Sequence, residues 1–171
     1  MLNNIILASK SKVRKDILEK NDISCNVEPS NVDEDMVKES LISEKASPEI
    51  ISKNLAELKA NKVSSKNYEQ IVLGADSVID LDGELISKPQ DRKEALLILK
   101  KLNAREHHLI SSVCISKNGS MIWNYTDKAK LKMRNFTDKE LEDYLAKIPD
   151  NALYAYCLLY TSDAADERLS V

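Results

Sequence analysis

Ser9, Ser11 and Arg14 follow one another within six residues, just where an apolar run gives way to a helical pattern. Ser11 suits the N-cap of that helix, which leaves Arg14 in the first turn. A cation there opposes the helix dipole, so the guanidinium needs another reason to be present. The three glycines are scattered at positions 74, 83 and 119, with no P-loop and no GxGxxG. A glycine nest is therefore excluded as the main anion-binding device, and any phosphate ligand must be held by side-chain cations and helix N-termini. The remaining candidates each have an ordinary reading when taken alone. Asp76 after a strand reads as a cap or turn residue, and Glu34 in an acidic loop as solvated charge. Lys59 reads as helix surface, and Lys88 before Pro89 as loop decoration. His107 reads as a structural, hydrogen-bonded histidine, Asp80 and Asp82 as turn residues, and the cysteines as packing residues.

The elements that would position these groups follow from pattern and punctuation. Ile5-Ile6-Leu7-Ala8 predicts a short buried strand, and Val13, Ile17 and Leu18 share a helical face after it. Residues 26–29 look extended, and residues 31–35 form an acidic segment. Ser47-Pro48-Glu49 opens a helix to about Ser64, with Ile51, Leu55 and Leu58 toward the core. Ile71-Val72-Leu73 is a strand ending at Gly74-Ala75-Asp76; residues 78–81 continue extended into an Asp82-Gly83 turn and Glu84-Leu85-Ile86. Asp91-Arg92-Lys93-Glu94 has capping-box spacing and opens a helix through Leu102. Residues 109–116 and 120–125 make a hairpin about Asn118-Gly119, and residues 128–134 alternate as a strand with one wet face. Thr137-Asp138-Lys139-Glu140 is a second capping box, whose helix ends near Pro149. Hairpins beside parallel-compatible strands predict an α/β or α+β sheet rather than an all-parallel one.

Bulk properties narrow the function classes. With 171 residues, 43% apolar and 31% charged, the sequence suits one folded domain. Its formal charge of -3, with acids and bases interspersed, lacks the basic footprint of a nucleic-acid binder. Three cysteines without a CxxC pair argue against a disulfide framework or a structural zinc site. No basic signal region precedes the first apolar run, and no stretch approaches a membrane span. The expectation is a cytoplasmic protein.

Set in order, the candidates resemble one family. Leu7-Ala8-Ser9-Lys10-Ser11-Lys12-Val13-Arg14 looks like the LASxSxxR signature of Maf nucleotide pyrophosphatases. Val32-Asp33-Glu34 resembles its VDE element, Leu55-Ala56-Glu57-Leu58-Lys59-Ala60 its LAxxKA helix, and Leu73-Gly74-Ala75-Asp76-Ser77-Val78 its GADT segment. Ser87-Lys88-Pro89 is similar to the KP element, while Leu102, His107 and Ser111 fall where its LSGxxH…T stretch falls. The resemblance implies a mixed twisted α/β sheet with flanking helices, in the two-lobed architecture shared with inosine triphosphatases. It implies metal-dependent hydrolysis of a non-standard or pyrimidine nucleoside triphosphate to the monophosphate and pyrophosphate. Asp76 would be the general base, and Glu34 with Asp76 would hold a divalent cation, Mg²⁺ or Mn²⁺. Arg14, Lys59 and Lys88 would contact the triphosphate, with Ser9, Ser11 and Ser77 as hydroxyl partners. The resemblance also allows a homodimer.

Departures are equally specific. Ala104 replaces the family's glycine after the leucine-rich helix, Ser77 its threonine, and Val13 the arginine or aromatic tied to base choice. The family's glycine-rich Y-x-x-Q strand and GLP close do not follow Tyr156, and residues 157–167 resemble translated adaptor sequence. The expected organisation is thus an incomplete Maf-like domain over residues 1–156 and a foreign tail over 157–171, rather than a frayed terminal helix. Two other functions stay open: a nucleotide-binding regulator of septum formation that does not hydrolyse, and an inosine-triphosphatase-type purine pyrophosphatase.

Overall fold

The computed structural model describes residues 5–149. Among them, six strands form one mixed sheet in the order β2-β1-β3-β5-β6, with β4 paired to β3. The strands are β1 (Ile5–Leu7), β2 (Cys25–Val27), β3 (Val72–Leu81), β4 (Glu84–Ile86), β5 (Glu106–Lys117) and β6 (Ser120–Lys132). The helices are α1 (Lys12–Lys20), α2 (Glu34–Ser43), α3 (Pro48–Ser64), α4 (Arg92–Leu102) and α5 (Asp138–Lys147). β1 runs parallel to both β2 and β3, whereas β3 and β5 are antiparallel. The α/β expectation holds.

The chain forms two units. Among the described residues, the first comprises residues 5–85 with His108–Ala129; the second comprises Ile86–His107 and residues 130–149. In the first, β1 is buried at all three residues, which explains a continuous apolar run without alternation. Helix α3 begins where Ser47 accepts the Ile50 N–H and Pro48 occupies the first turn. Its buried positions are 48, 51, 52, 55, 56, 59, 60, 63 and 64, one stripe at helical spacing. That stripe lies against β3 at very short range. A Cβ placed on Gly74 would overlap the Ala56 carbonyl oxygen and the Ala60 backbone nitrogen. Only glycine lets the two backbones approach this closely. Ala56, Ala60 and Cys114 form one apolar cluster there, and Ile6, Ala8, Val63 and Val72 another.

Both predicted turns are present. Asp82 and Gly83 take φ of 54° and 88°, and Asn118 and Gly119 take 53° and 80°. Two successive positive φ values suit the twist of a two-residue hairpin. Asp80 Oδ1 also accepts the Gly83 N–H at 2.7 Å. In the second unit Ala95 and Leu99 of α4 pack with Leu141 and Leu145 of α5 and with Ile148. Thr137 and Glu140 complete the expected capping box.

Several expectations need correction. The acidic segment at 31–35 is the entry to α2: Asp33 accepts the Met36 N–H and Glu34 is the first helical residue. None of the residues of α2 is buried. Val13 and Ile17 are each 55% exposed and Leu58 is 42% exposed, so none of them reaches the core as its spacing suggests. β3 does not stop at Asp76 but continues unbroken to Leu81, and β6 joins two expected strands into one that ends at Lys132. At α4 the Asp91 cap forms, but Glu94 accepts the Gln90 N–H rather than closing a box on Asp91. The segment 157–171 lies outside the described residues. Among those described, no helix is long and apolar enough to cross a membrane.

Candidate active site

Asp76 sits in the middle of β3, where residues on both faces are covered, and is 5% exposed. Directly across the close α3–β3 contact, Lys59 occupies the buried stripe of α3 and is also 5% exposed. Its Nζ lies 2.8 Å from Asp76 Oδ1 and 2.9 Å from Glu34 Oε1. Glu34 reaches this point from the first turn of α2, with its side chain 38% exposed. One ammonium thus ties a carboxylate of the sheet to a carboxylate of a surface helix.

A second cluster grows from the turn between β1 and α1. Ser11 caps α1 by accepting the Arg14 N–H at 3.4 Å, and Ser9 Oγ accepts the Ser11 N–H at 3.2 Å. Arg14 bends back over this turn, donating from Nη1 to Ser9 Oγ at 3.1 Å and from Nη2 to Ser77 Oγ at 3.5 Å. Ser77 Oγ in turn lies 3.1 Å from Ser111 Oγ on β5, its register partner across the antiparallel pair. Asp76 and Ser77 are successive on β3 and so project to opposite faces, yet the Arg14 charge acts on the Asp76 carboxyl, so the two clusters are neighbours.

The electrostatics follow from burial. Desolvation pushes the Asp76 carboxyl above the ordinary aspartate range; the Lys59 ammonium and Arg14 oppose that rise, and Glu34 adds to it. Asp76 Oδ2 is buried and has no hydrogen-bond partner among the described residues. A buried carboxylate oxygen left without a donor costs free energy, and such atoms concentrate where a ligand or reacting group completes the set.

Of the residues singled out from sequence, Ser9, Ser11, Arg14, Glu34, Lys59, Asp76 and Ser77 are joined by these contacts. Lys88 belongs to the second unit, exposed in the loop between β4 and α4. His107 is buried. Two residues escaped the sequence reading of the site. Ser52 donates from within α3 to the Asp76 carbonyl oxygen at 3.3 Å, and Ser111 extends the hydroxyl chain. Ser52 had a readable signal: like Lys59, it is a polar residue inside the apolar period of α3. Ser111 was marked only by its place in the LSGxxH…T stretch, and strand pairing is what brings it to Ser77.

The order and spacing of these residues match a known family. A profile described as Maf-like protein matches residues 4–155. The chain belongs to the Maf family. Its Maf relatives include a protein of Pelagibacter ubique named nucleoside triphosphate pyrophosphatase, 70% identical over 156 residues, covering 91% of this chain and 80% of that one. A protein of the same name from Roseobacter denitrificans is 39% identical over 151 residues, covering 88% of this chain and 76% of its own. Similar solved structures include a HAM1 protein from Coxiella burnetii, at 14% identity and TM-score 0.45, with 77% of this chain and 72% of that chain covered.

Proposed function

We propose that this Maf-family chain hydrolyses a nucleoside triphosphate to the nucleoside monophosphate and pyrophosphate, with Asp76 as general base. The observation that carries the reading is the buried Asp76 carboxylate, pinned by Lys59 through Oδ1 while Oδ2 keeps an unused acceptor. Its relatives from Pelagibacter ubique and Roseobacter denitrificans bear the name nucleoside triphosphate pyrophosphatase, which supports the same reaction.

Each residue then has a task set by its chemistry. Asp76 takes the proton as a water oxygen bonds to phosphorus and the bridging bond to the departing pyrophosphate breaks. A base whose proton affinity is raised by burial is better matched to neutral pH than an ordinary aspartate. Arg14 offers its planar fork to phosphate oxygens, which offsets its unfavourable place in the first turn of α1. The Ser9 and Ser77 hydroxyls flank that fork, and Ser11 caps the helix that carries it. Lys59 brings positive charge to the same place through the carboxylates it holds. The assignment of Lys88 to the triphosphate rests on its likeness to the KP element alone.

The donor set fits a hard divalent cation, Mg²⁺ or Mn²⁺. Glu34 and Asp76 are both oxygen ligands, and Asp76 retains an unpartnered oxygen. Among the described residues no group of three or more His, Cys, Asp or Glu side chains is placed to hold a metal. Two carboxylates suit an ion that completes its shell with water and phosphate. When bound, such a cation supplies positive charge to the phosphate oxygens. Residues 1–156 are assigned as the catalytic domain and 157–171 as a segment outside it. A cytoplasmic location and a homodimer complete the proposal, the first from cysteine usage and the second from family likeness.

The test is product analysis with each natural and non-standard triphosphate in turn. Pyrophosphate is expected as the first product, with activity abolished by excess chelator. Orthophosphate as first product, or full activity in chelator, overturns the assignment.

A further inference from the structure

Lys59 is placed differently from a simple phosphate-binding lysine. Its ammonium is almost wholly buried, and two of its three donors are spent on Glu34 Oε1 and Asp76 Oδ1. Two carboxylates brought to one cation would otherwise repel each other, most strongly where water is excluded. The formal charges of Glu34, Asp76, Lys59 and the neighbouring Arg14 cancel. A neutral site attracts a free divalent cation weakly, even though its oxygen ligands are the right kind.

We infer that Lys59 is a positioning residue that acts as a built-in counter-cation. It holds Glu34 and Asp76 together in the ligand-free protein and keeps the site from taking up a divalent cation without the nucleotide. Triphosphate brings several negative charges, reverses the balance and makes cation entry favourable. The inference rests on the proposed role of Glu34 and Asp76 as cation ligands. It does not require Lys59 to leave, because Asp76 Oδ2 keeps no partner while Oδ1 holds the ammonium. Repulsion between the ammonium and an incoming cation is enough. The geometry of α3 maintains this arrangement: Lys59 lies between Ala56 and Ala60, whose backbone abuts Gly74. The ammonium is therefore delivered from a rigid contact rather than from a mobile surface.

The experiment uses the 171-residue chain and Mn²⁺ alone as the probe, with bound metal read by electron paramagnetic resonance. Lys59→Met removes the charge and keeps most of the stem. It is expected to bind Mn²⁺ roughly tenfold more tightly, or better, than the unmodified chain. Lys59→Arg retains the charge and should stay near the unmodified affinity. Adding Glu34→Gln to Lys59→Met should remove the gain, which locates it at this site. If Lys59→Met fails to fold, the unmodified chain provides a second readout. Its Lys59 ammonium resonance, recorded by ¹⁵N NMR, should stay in place with Mg²⁺ alone and shift when Mg²⁺ and a non-hydrolysable triphosphate together saturate the site. Metal binding with no gain in Lys59→Met, or a Lys59 resonance unmoved at saturation, overturns this inference alone. Failure of every form to bind either metal would remove the cation-ligand reading and this inference with it.

Discussion

Asp76 carries its charge where the protein least favours one, in the buried centre of β3. Substituting Asp76→Asn keeps the size and removes the base. Turnover is expected to fall by roughly 10²-fold or more, with triphosphate binding largely retained, as measured by separate kinetics and calorimetry. Activity close to that of the parent would dismiss Asp76 as the base. The pH dependence follows from the same burial. Desolvation raises the Asp76 pKa, so the native state holds its proton to higher pH than an unfolded aspartate does. The basic form exists only above that raised value. The acid limb of kcat/KM should therefore lie above the ordinary aspartate range, with activity lost as pH falls through it. A limb at the pH of a free aspartate would contradict the assignment.

At the scale of elements, the contact between α3 and β3 sets the distance from Lys59 to Asp76. Gly74 has no room for a Cβ because the obstacles are backbone atoms of Ala56 and Ala60, which cannot swing aside. Gly74→Ala must push the helix off the strand, at a cost of about 3 kcal/mol in stability. The same displacement draws Lys59 away from Asp76. Lys59 opposes the rise in the Asp76 pKa, so its withdrawal should move the acid limb to still higher pH. Thermal denaturation and a pH profile on one preparation check both parts. A destabilised variant with an unmoved limb would mean that the seam supports the fold but does not position the site.

At the scale of the whole molecule, the second unit has its own core. Leu141 is 2% exposed and packs with Ala95, Leu99, Leu145 and Ile148. Leu141→Ala should cost about 2–5 kcal/mol through lost burial and the cavity left behind. Asp76, Lys59, Glu34 and Arg14 all belong to the first unit, so the acid limb should stay where it is. This variant separates a general loss of stability from the particular effect expected of Gly74→Ala. An equal shift of the limb in both would show that the site responds to stability rather than to the α3–β3 contact.

What the sequence determined by itself was local. Helix caps at Ser11, Ser47, Asp91 and Thr137, and the positive-φ turns at Asp82-Gly83 and Asn118-Gly119, depend on chemistry within four residues and were legible. The mixed sheet was legible in class, because its hairpins and its continuous apolar strand leave different patterns. Helix α2 was not legible in the acidic run that opens it, although Asp33 caps it and Val37 and Leu41 stand one turn apart. The ordered motifs identified which residues to watch, yet a motif does not say what each side chain faces. Lys59 was marked as a phosphate contact, and folding places it 2.8 Å from Asp76 and 2.9 Å from Glu34, residues 17 positions after it and 25 before. Ser111 joined Ser77 only through the register of β3 with β5. Interactions of that kind depend on how closely two backbones pack and which strands pair. Those are properties of the folded chain, and tertiary structure alone decided them.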